Sequence, residues 1–170
     1  MLIRAETTDD HASVATVNIA AFGGEEEARL VDLLRKERLL IASLVAVDDA
    51  EQVIGHIALS PATLLVGSNE RQVASLAPMA VVPSRQRQGI GSMLVDRGLH
   101  ACRNAGYRAV IVVGHPNYYP RFGFSHALVE KLANPFATGT AFMGLELARG
   151  ALSDVEGGRV VYPEVFSQLS

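Results

Sequence analysis

The segment that most constrains the fold of this chain is Pro83 to Ser92, with the sequence PSRQRQGIGS. An apolar run at residues 73–82 precedes it and predicts a buried strand. Residues 93–102, MLVDRGLHAC, follow it and predict a helix. A strand that leads through a glycine-containing loop into a helix is a unit of α/β structure, so this order of elements predicts an α/β chain.

The loop itself has the composition of an anion-binding turn. Gly89 and Gly91 let the backbone approach a ligand closely, because neither residue carries a Cβ. The first N–H groups of the following helix have no intrahelical partner, and the helix dipole adds positive potential there. Arg85 and Arg87 strengthen that potential. We therefore expect a phosphate group, most naturally a pyrophosphate, to bind at this turn.

Two familiar phosphate-binding motifs do not fit the loop. A dinucleotide-binding turn would need glycine or alanine where the chain has Leu94, and an acid about 20 residues further on. Residues 97–129 contain no Asp or Glu. A Walker loop is excluded because the sequence contains no Gly-Lys-Ser or Gly-Lys-Thr. The loop therefore predicts a different class of phosphate site.

The loop and its flanks resemble the GNAT superfamily of acyl-CoA-dependent N-acetyltransferases. Residues 86–91, QRQGIG, match the signature Gln/Arg-x-x-Gly-x-Gly/Ala, and Pro83 stands just before them. Residues 118–124, YYPRFGF, resemble the Tyr-x-x-x-Gly-Phe element of the family, in the form of one bacterial branch. The resemblance implies a single domain over residues 1–170 with an α/β (α+β) fold. Its mixed, centrally splayed β-sheet would have about six or seven strands, with helices on both faces.

The resemblance also implies acetyl-CoA as the cofactor. Pro78 removes a ladder hydrogen bond and predicts a bulge, which in this family splays the strand from its neighbour so that acetyl-CoA lies in the gap. Met79, Ala80 and Val81 would pair with the pantetheine arm, and a backbone N–H near Met79 would stabilise the thioester oxygen. The residues implied for the pyrophosphate are Gln86, Arg87, Gln88, Gly89, Ile90, Gly91 and Ser92.

Direct attack of an amine on the thioester needs a proton donor for the leaving thiolate. By the resemblance, Tyr119, four residues before Gly123, would be that donor, with Tyr118 as the alternative. Pro116 and Pro120 predict that any helix around these tyrosines is short or distorted.

The general base is not identified by a motif. Glu25, Glu26 and Glu27 begin the second predicted helix, where this fold forms its acceptor pocket, and His56 is central in the third predicted strand. His115 ends the strand after the glycine loop. We expect Glu26 or His56 to take the proton, directly or through water. Each residue could instead have a structural role. The glutamates would then be a solvated helix start that the helix dipole favours, and His56 would be a hydrogen-bonded residue of the sheet.

Charge is distributed unevenly along the chain. The net charge is −3, yet residues 71–129 contain seven arginines and one acid. This basic segment contains the phosphate loop and suits coenzyme A, while the acidic remainder suits a cationic amine or a solvated surface. Nucleic acid is not favoured as a partner, because the chain is acidic overall and has two lysines. No His, Cys and acid cluster has metal-ligand spacing, so no metal is expected.

The N-terminus and the hydropathy indicate where the chain acts. There is no apolar stretch of 18 residues, so no membrane span is expected, and residues 1–6 lack the features of a signal peptide. The single cysteine, Cys102, falls at a core position of the predicted helix. We therefore expect a cytoplasmic protein.

The leading hypothesis for its function is an N-acetyltransferase that uses acetyl-CoA and a small-molecule or peptide amine in a ternary complex. The alternative is a non-catalytic acyl-CoA-binding sensor or interaction module. The oligomeric state is left open between a monomer and a homodimer.

Apolar periodicity and turn residues predict the remaining elements. The predicted helices are 8–21 and 25–38, and the predicted strands are 2–6, 43–47, 53–59, 107–113, 142–147 and 159–162. The strands at 43–47 and 53–59 form a hairpin, which we expect Ser60 and Pro61 to end.

Overall fold

A computed structural model describes residues 1–137 and 139–168 of the 170-residue chain. Within those residues, three α-helices pack on one seven-stranded sheet. The strands are β1 (Leu2–Ala5), β2 (Ala42–Val47), β3 (Val53–Val66), β4 (Asn69–Val81), β5 (Ala109–Val113), β6 (Phe142–Glu146) and β7 (Arg159–Val161). The helices are α1 (His11–Phe22), α2 (Glu26–Lys36) and α3 (Ile90–Asn104).

The sheet is mixed, with helices on both of its faces. The strand order is β1-β2-β3-β4-β5-β6, and β7 pairs with the end of β3. β4 and β5 run parallel, whereas β3 is antiparallel to both of its neighbours β2 and β4. Ile57 and Leu59 pack with α3, while Ala58 between them packs with Val14 of α1 and Val31 of α2. The predicted fold class is therefore confirmed.

Helix α3 brings the glycine loop to the sheet through a close backbone contact. A Cβ on Gly98 would lie 2.9 Å from Leu59 Cδ2, so glycine lets the helix approach β3 directly. Leu94 and Cys102 on the same helix face are fully buried. The burial of Cys102 confirms the prediction of a core residue, and it raises the pKa of the thiol to about 12.

The first hairpin is longer than the sequence predicts. β3 continues through Pro61 to Val66, so the prediction that Ser60 and Pro61 end the hairpin is wrong. Pro61 lies between Leu59, the last residue of β3 paired with β2, and Thr63, the first paired with β7. No second strand needs the missing N–H of Pro61 at that point, which is why the strand tolerates it.

The predicted bulge in β4 is present. Met79 pairs with Ile57 but Leu76 pairs with Leu59, so β4 holds an extra residue at Ala77–Pro78. The parallel pairing of β4 with β5 stops at Leu76, after which the two strands separate. This separation opens the centre of the sheet. None of the described helices combines the length and the apolarity needed to cross a bilayer.

Candidate active site

A cleft of about 1020 Å³ opens where β4 and β5 separate. Its volume is that of a site for a ligand of substantial size. One wall is the end of α1 and the start of α2, the floor is residues 76–81 of β4, and the far wall follows the end of β5. The glycine loop and the first turn of α3 close one end of the cleft.

The glycine loop presents free backbone donors to this cleft. Gly89 has a φ of +84° and is followed by helical Ile90, the paired conformation of an anion-binding nest. The helical ladder begins with the Met93 N–H, which donates to Gly89 O at 3.1 Å. The N–H groups of Ile90, Gly91 and Ser92 therefore precede the ladder, at the positive end of the helix dipole.

Side chains hold the loop in place. Gln86 Nε2 donates to Val81 O at 2.9 Å, and Arg85 Nη1 lies 3.3 Å from Asp48 Oδ2 on the β2–β3 turn. Arg87 lines the cleft and has a φ of +65°, uncommon for a residue with a side chain. Gln88 does not line the cleft, and its Oε1 lies 3.5 Å from Arg85 Nε. The other residues predicted for the pyrophosphate all line the cleft.

The floor of the cleft is an unpaired strand edge. Met79, Ala80 and Val81 line the cleft and pair with β3 on their other side. The edge of β4 that faces β5 is paired with β5 only as far as Leu76. Val81 O on this edge accepts from Gln86 Nε2, and the remaining backbone polar groups have room for a ligand that pairs as an additional strand.

Tyr119 and Tyr118 lie side by side on the far wall, and both line the cleft. A 3₁₀ helix, Tyr119–Phe122, carries Tyr119, which confirms the predicted distortion. The Tyr119 ring is 7% exposed and packs on Gly114, where a Cβ would overlap the ring. Burial, with a smaller contribution from Tyr118, raises the pKa of the Tyr119 phenol to about 12.

The Tyr118 phenol is turned to the first turn of α3. Its oxygen lies 3.1 Å from Ser92 Oγ, and a Cβ on Gly91 would also lie 3.1 Å from it. The Arg121 guanidinium stacks over the Tyr118 ring at 4.3 Å, and Arg121 Nε donates to the Tyr118 carbonyl at 2.9 Å. Arg121 therefore adds a third arginine to the lining, with Arg85 and Arg87.

The structure does not bring His56 to the cleft. Its ring is fully buried, with Asn18 Nδ2 at 3.2 Å from Nδ1 and Ser43 Oγ at 2.8 Å from Nε2. The Ser43 hydroxyl donates to Glu6, whose carboxylate also accepts from Arg35 Nε at 2.8 Å. This pattern leaves the proton on Nε2, and burial lowers the pKa of His56 to about 4.

Of the three glutamates at the start of α2, Glu27 lines the cleft, whereas Glu25, which precedes the helix, and Glu26 do not. The sequence contained a signal for this. Glu27 stands three and four residues before Leu30 and Val31, both buried, so helical periodicity directs it toward the sheet. His115 also lines the cleft. Among the described residues, no group of three or more His, Cys, Asp or Glu side chains is arranged to hold a metal ion.

The sequence matches a known family over most of its length. The acetyltransferase (GNAT) domain matches residues 2–127. The chain is 38% identical over 170 residues to an uncharacterised N-acetyltransferase of Escherichia coli K12, YhbS, covering 99% of this chain and 100% of that protein. A second E. coli K12 N-acetyltransferase, YjhQ, is 34% identical over 123 residues, or 72% of this chain and 68% of that protein. This protein belongs to the GNAT acetyltransferase family.

Solved structures agree with that assignment. E. coli YhbS in complex with CoA has a TM-score of 0.86 at 38% identity, covering 98% of this chain and 91% of that one. A GNAT family acetyltransferase of Brucella melitensis in complex with acetyl-CoA has a TM-score of 0.77 at 36% identity, covering 97% of each chain. The predicted family and fold are therefore confirmed.

Proposed function

We propose that this protein transfers the acetyl group of acetyl-CoA to an amine, by direct attack in a ternary complex. The observation that carries the proposal is the continuous path from the glycine loop along the unpaired edge of β4 to the tyrosines. The CoA complex of YhbS and the acetyl-CoA complex of the Brucella melitensis protein support the same cofactor.

The cofactor would lie along this path in one direction. Its pyrophosphate would accept hydrogen bonds from the N–H groups of residues 90–92, and Arg87 would add positive charge. Its pantetheine arm would pair with residues 79–81 as an extra strand, which directs the thioester to the bulge at Pro78. The contribution of Gln88, which lies outside the lining, stays a prediction.

The residues around the bulge would then do the chemistry. The cofactor supplies an acetyl thioester, whose carbonyl carbon the amine attacks while the C–S bond breaks. A backbone N–H near Met79 would stabilise negative charge on the carbonyl oxygen. Tyr119, whose pKa is about 12, stays protonated at neutral pH and would donate to the departing sulfur.

The base is best sought at the cleft wall. We propose Glu27 for this role, directly or through a water molecule, because it lines the cleft on the acceptor side. Glu26 and His56 are less well placed, since Glu26 lies outside the lining and the His56 ring is enclosed. A cytoplasmic location and a homodimer stay predictions.

Two measurements on the purified protein test the proposal. Calorimetric titration with acetyl-CoA should give about one site per chain, and a panel of primary amines should then release free CoA thiol. Binding without any amine-dependent release would favour the acyl-CoA-binding module over the enzyme. Absence of binding at millimolar acetyl-CoA would contradict both.

A further inference from the structure

The two ends of the cleft differ in charge. The loop end has Arg85 and Arg87 together with the free N–H groups of α3. The third arginine of the lining, Arg121, stacks on Tyr118, whose phenol oxygen lies 3.1 Å from Ser92 in the first turn of α3. The end between α1–α2 and the tip of β5 contains Glu27, the one acid among the described residues that line the cleft. A cation is therefore favoured at this second end, and a phosphate at the first.

Exposed apolar side chains from two other elements line the same cleft as Glu27. Phe22, the last residue of α1, is 45% exposed, and Val113, the last residue of β5, is 42% exposed. Both line the cleft, as does Leu30 of α2. Large apolar side chains left open to water in a concave site are typical of a surface that a ligand covers.

Glu27 is available for such a ligand. Within residues 1–137 and 139–168, the side-chain hydrogen bonds and ion pairs involve Glu6, Glu146 and Glu156 but not Glu27. Its place in the first turn of α2 stabilises the carboxylate through the helix dipole.

From this arrangement we propose that the acceptor is a primary amine on an apolar body, an arylalkylamine or alkylamine. Its ammonium group lies against Glu27, and its apolar part lies between Phe22 and Val113. The inference rests on the proposed function and adds the class of acceptor to it. A polyamine fits less well, because its further charges would lie against Phe22, Leu30 and Val113 without partners.

Acetylation of three matched amines tests the proposal: phenethylamine, ethanolamine and spermidine, at saturating acetyl-CoA. The expected kcat/KM for phenethylamine exceeds that for each of the other two by about tenfold or more, the usual effect of burying an aromatic ring. Preference for spermidine or ethanolamine would overturn the inference and leave the proposed function standing. Binding of acetyl-CoA with no turnover of any amine would overturn both.

Variants at Phe22 and Val113 test whether these residues cause the preference for phenethylamine. Phe22→Ser and Val113→Ser should each raise KM for phenethylamine about tenfold and leave KM for ethanolamine within twofold. Ile19→Ser is the matched control, since Ile19 is an apolar α1 residue that is 38% exposed and does not line the cleft. The Kd for acetyl-CoA should stay unchanged in all three, which also reports correct folding. An effect of Phe22→Ser no larger than that of Ile19→Ser would contradict the inference.

Discussion

The Tyr118 phenol oxygen lies 3.1 Å from Ser92 Oγ, so a residue after β5 is tied to the first turn of α3. This contact holds the tyrosine segment against the glycine loop across the mouth of the cleft. Its neighbour Tyr119 also lines the cleft, but the side-chain hydrogen bonds of the described residues do not involve its phenol. The two tyrosines therefore have different expected roles, Tyr118 in positioning and Tyr119 in proton donation.

Removing the two phenol oxygens separately tests this division. Tyr119→Phe should lower kcat about 100-fold, the usual contribution of a general acid, and leave the Kd for acetyl-CoA within twofold. Tyr118→Phe loses one hydrogen bond, worth about 1 kcal/mol, and should lower kcat less than tenfold. Steady-state kinetics with one amine measure both. A larger loss of kcat in Tyr118→Phe would exchange the two assignments.

The glycine loop is tested by a charge placed at Gly89. A Cβ there meets no atom within 4 Å, so Gly89→Glu would place its carboxylate at the cleft where we expect a pyrophosphate. Binding of acetyl-CoA should fall below detection in calorimetry.

Gly106→Glu is the matched control for the backbone strain of that change. Gly106 has a φ of +89° and an equally open Cβ position, but it follows α3 and lies outside the cleft. Both variants should lose about 1 kcal/mol of folding free energy, because each forces a side chain into the left-handed region. Retained binding in Gly89→Glu would remove the loop from the cofactor site.

Burial of His56 predicts how stability depends on pH. The folded pKa is about 4, below the ordinary value of 6.5, so between these values the unfolded chain binds a proton that the folded chain does not. Stability should therefore fall as the pH is lowered from 6.5 to 4, by about 3 kcal/mol from this residue.

Urea unfolding across this pH range measures the effect. His56→Asn should flatten the dependence, whereas His100→Asn, at an exposed position, should not change it. An unchanged slope in His56→Asn would mean that His56 is protonated in the folded protein, contrary to its burial.

The contact between Arg35 and Glu6 is expected to stabilise the fold strongly. Arg35 donates to both Glu6 oxygens, at 2.8 and 3.1 Å, and the Glu6 side chain is 10% exposed. Although burial alone would raise the pKa of Glu6, the hydrogen bonds from Arg35 and Ser43 keep it below its ordinary value.

Arg35→Met would leave the Glu6 carboxylate without its cation and should cost about 3 kcal/mol in urea unfolding at pH 7. Lys131→Met, which breaks the exposed pair with Glu156, should have no measurable effect. Equal stability of Arg35→Met and the unmodified protein would show that water solvates the Glu6 carboxylate as well as Arg35 does.

The parts of the fold that local sequence determines were predictable. The strand, glycine loop and helix around Gly89 follow from periodicity and turn chemistry, and Pro78 signals the bulge because proline cannot donate. Pro61 cannot donate a hydrogen bond either, yet it lies inside β3. The strand tolerates it because Pro61 falls between the end of the pairing with β2 and the start of the pairing with β7. That neighbourhood is set by tertiary pairing, which the local sequence does not contain.

The site was predictable on its cofactor side and less so on its acceptor side. The residues of the loop and of β4 are contiguous, so one motif locates them together. Glu27, Phe22 and Val113 come from three separate elements and meet only in the folded chain. Which of Glu26 and Glu27 faces the cleft depends on helical phase, and Glu27 precedes the buried residues Leu30 and Val31 by three and four positions.

Amine-dependent release of CoA thiol from acetyl-CoA is the decisive measurement for acetyl transfer by this protein. With phenethylamine in excess and acetyl-CoA saturating, we expect one thiol released for each amide formed, and a rate that Tyr119→Phe reduces about 100-fold. Acetyl-CoA at 100 times its Kd would then also stabilise the fold by about 2.7 kcal/mol. The same stabilisation with no thiol released by any amine would mean that the protein binds acetyl-CoA without transferring its acetyl group.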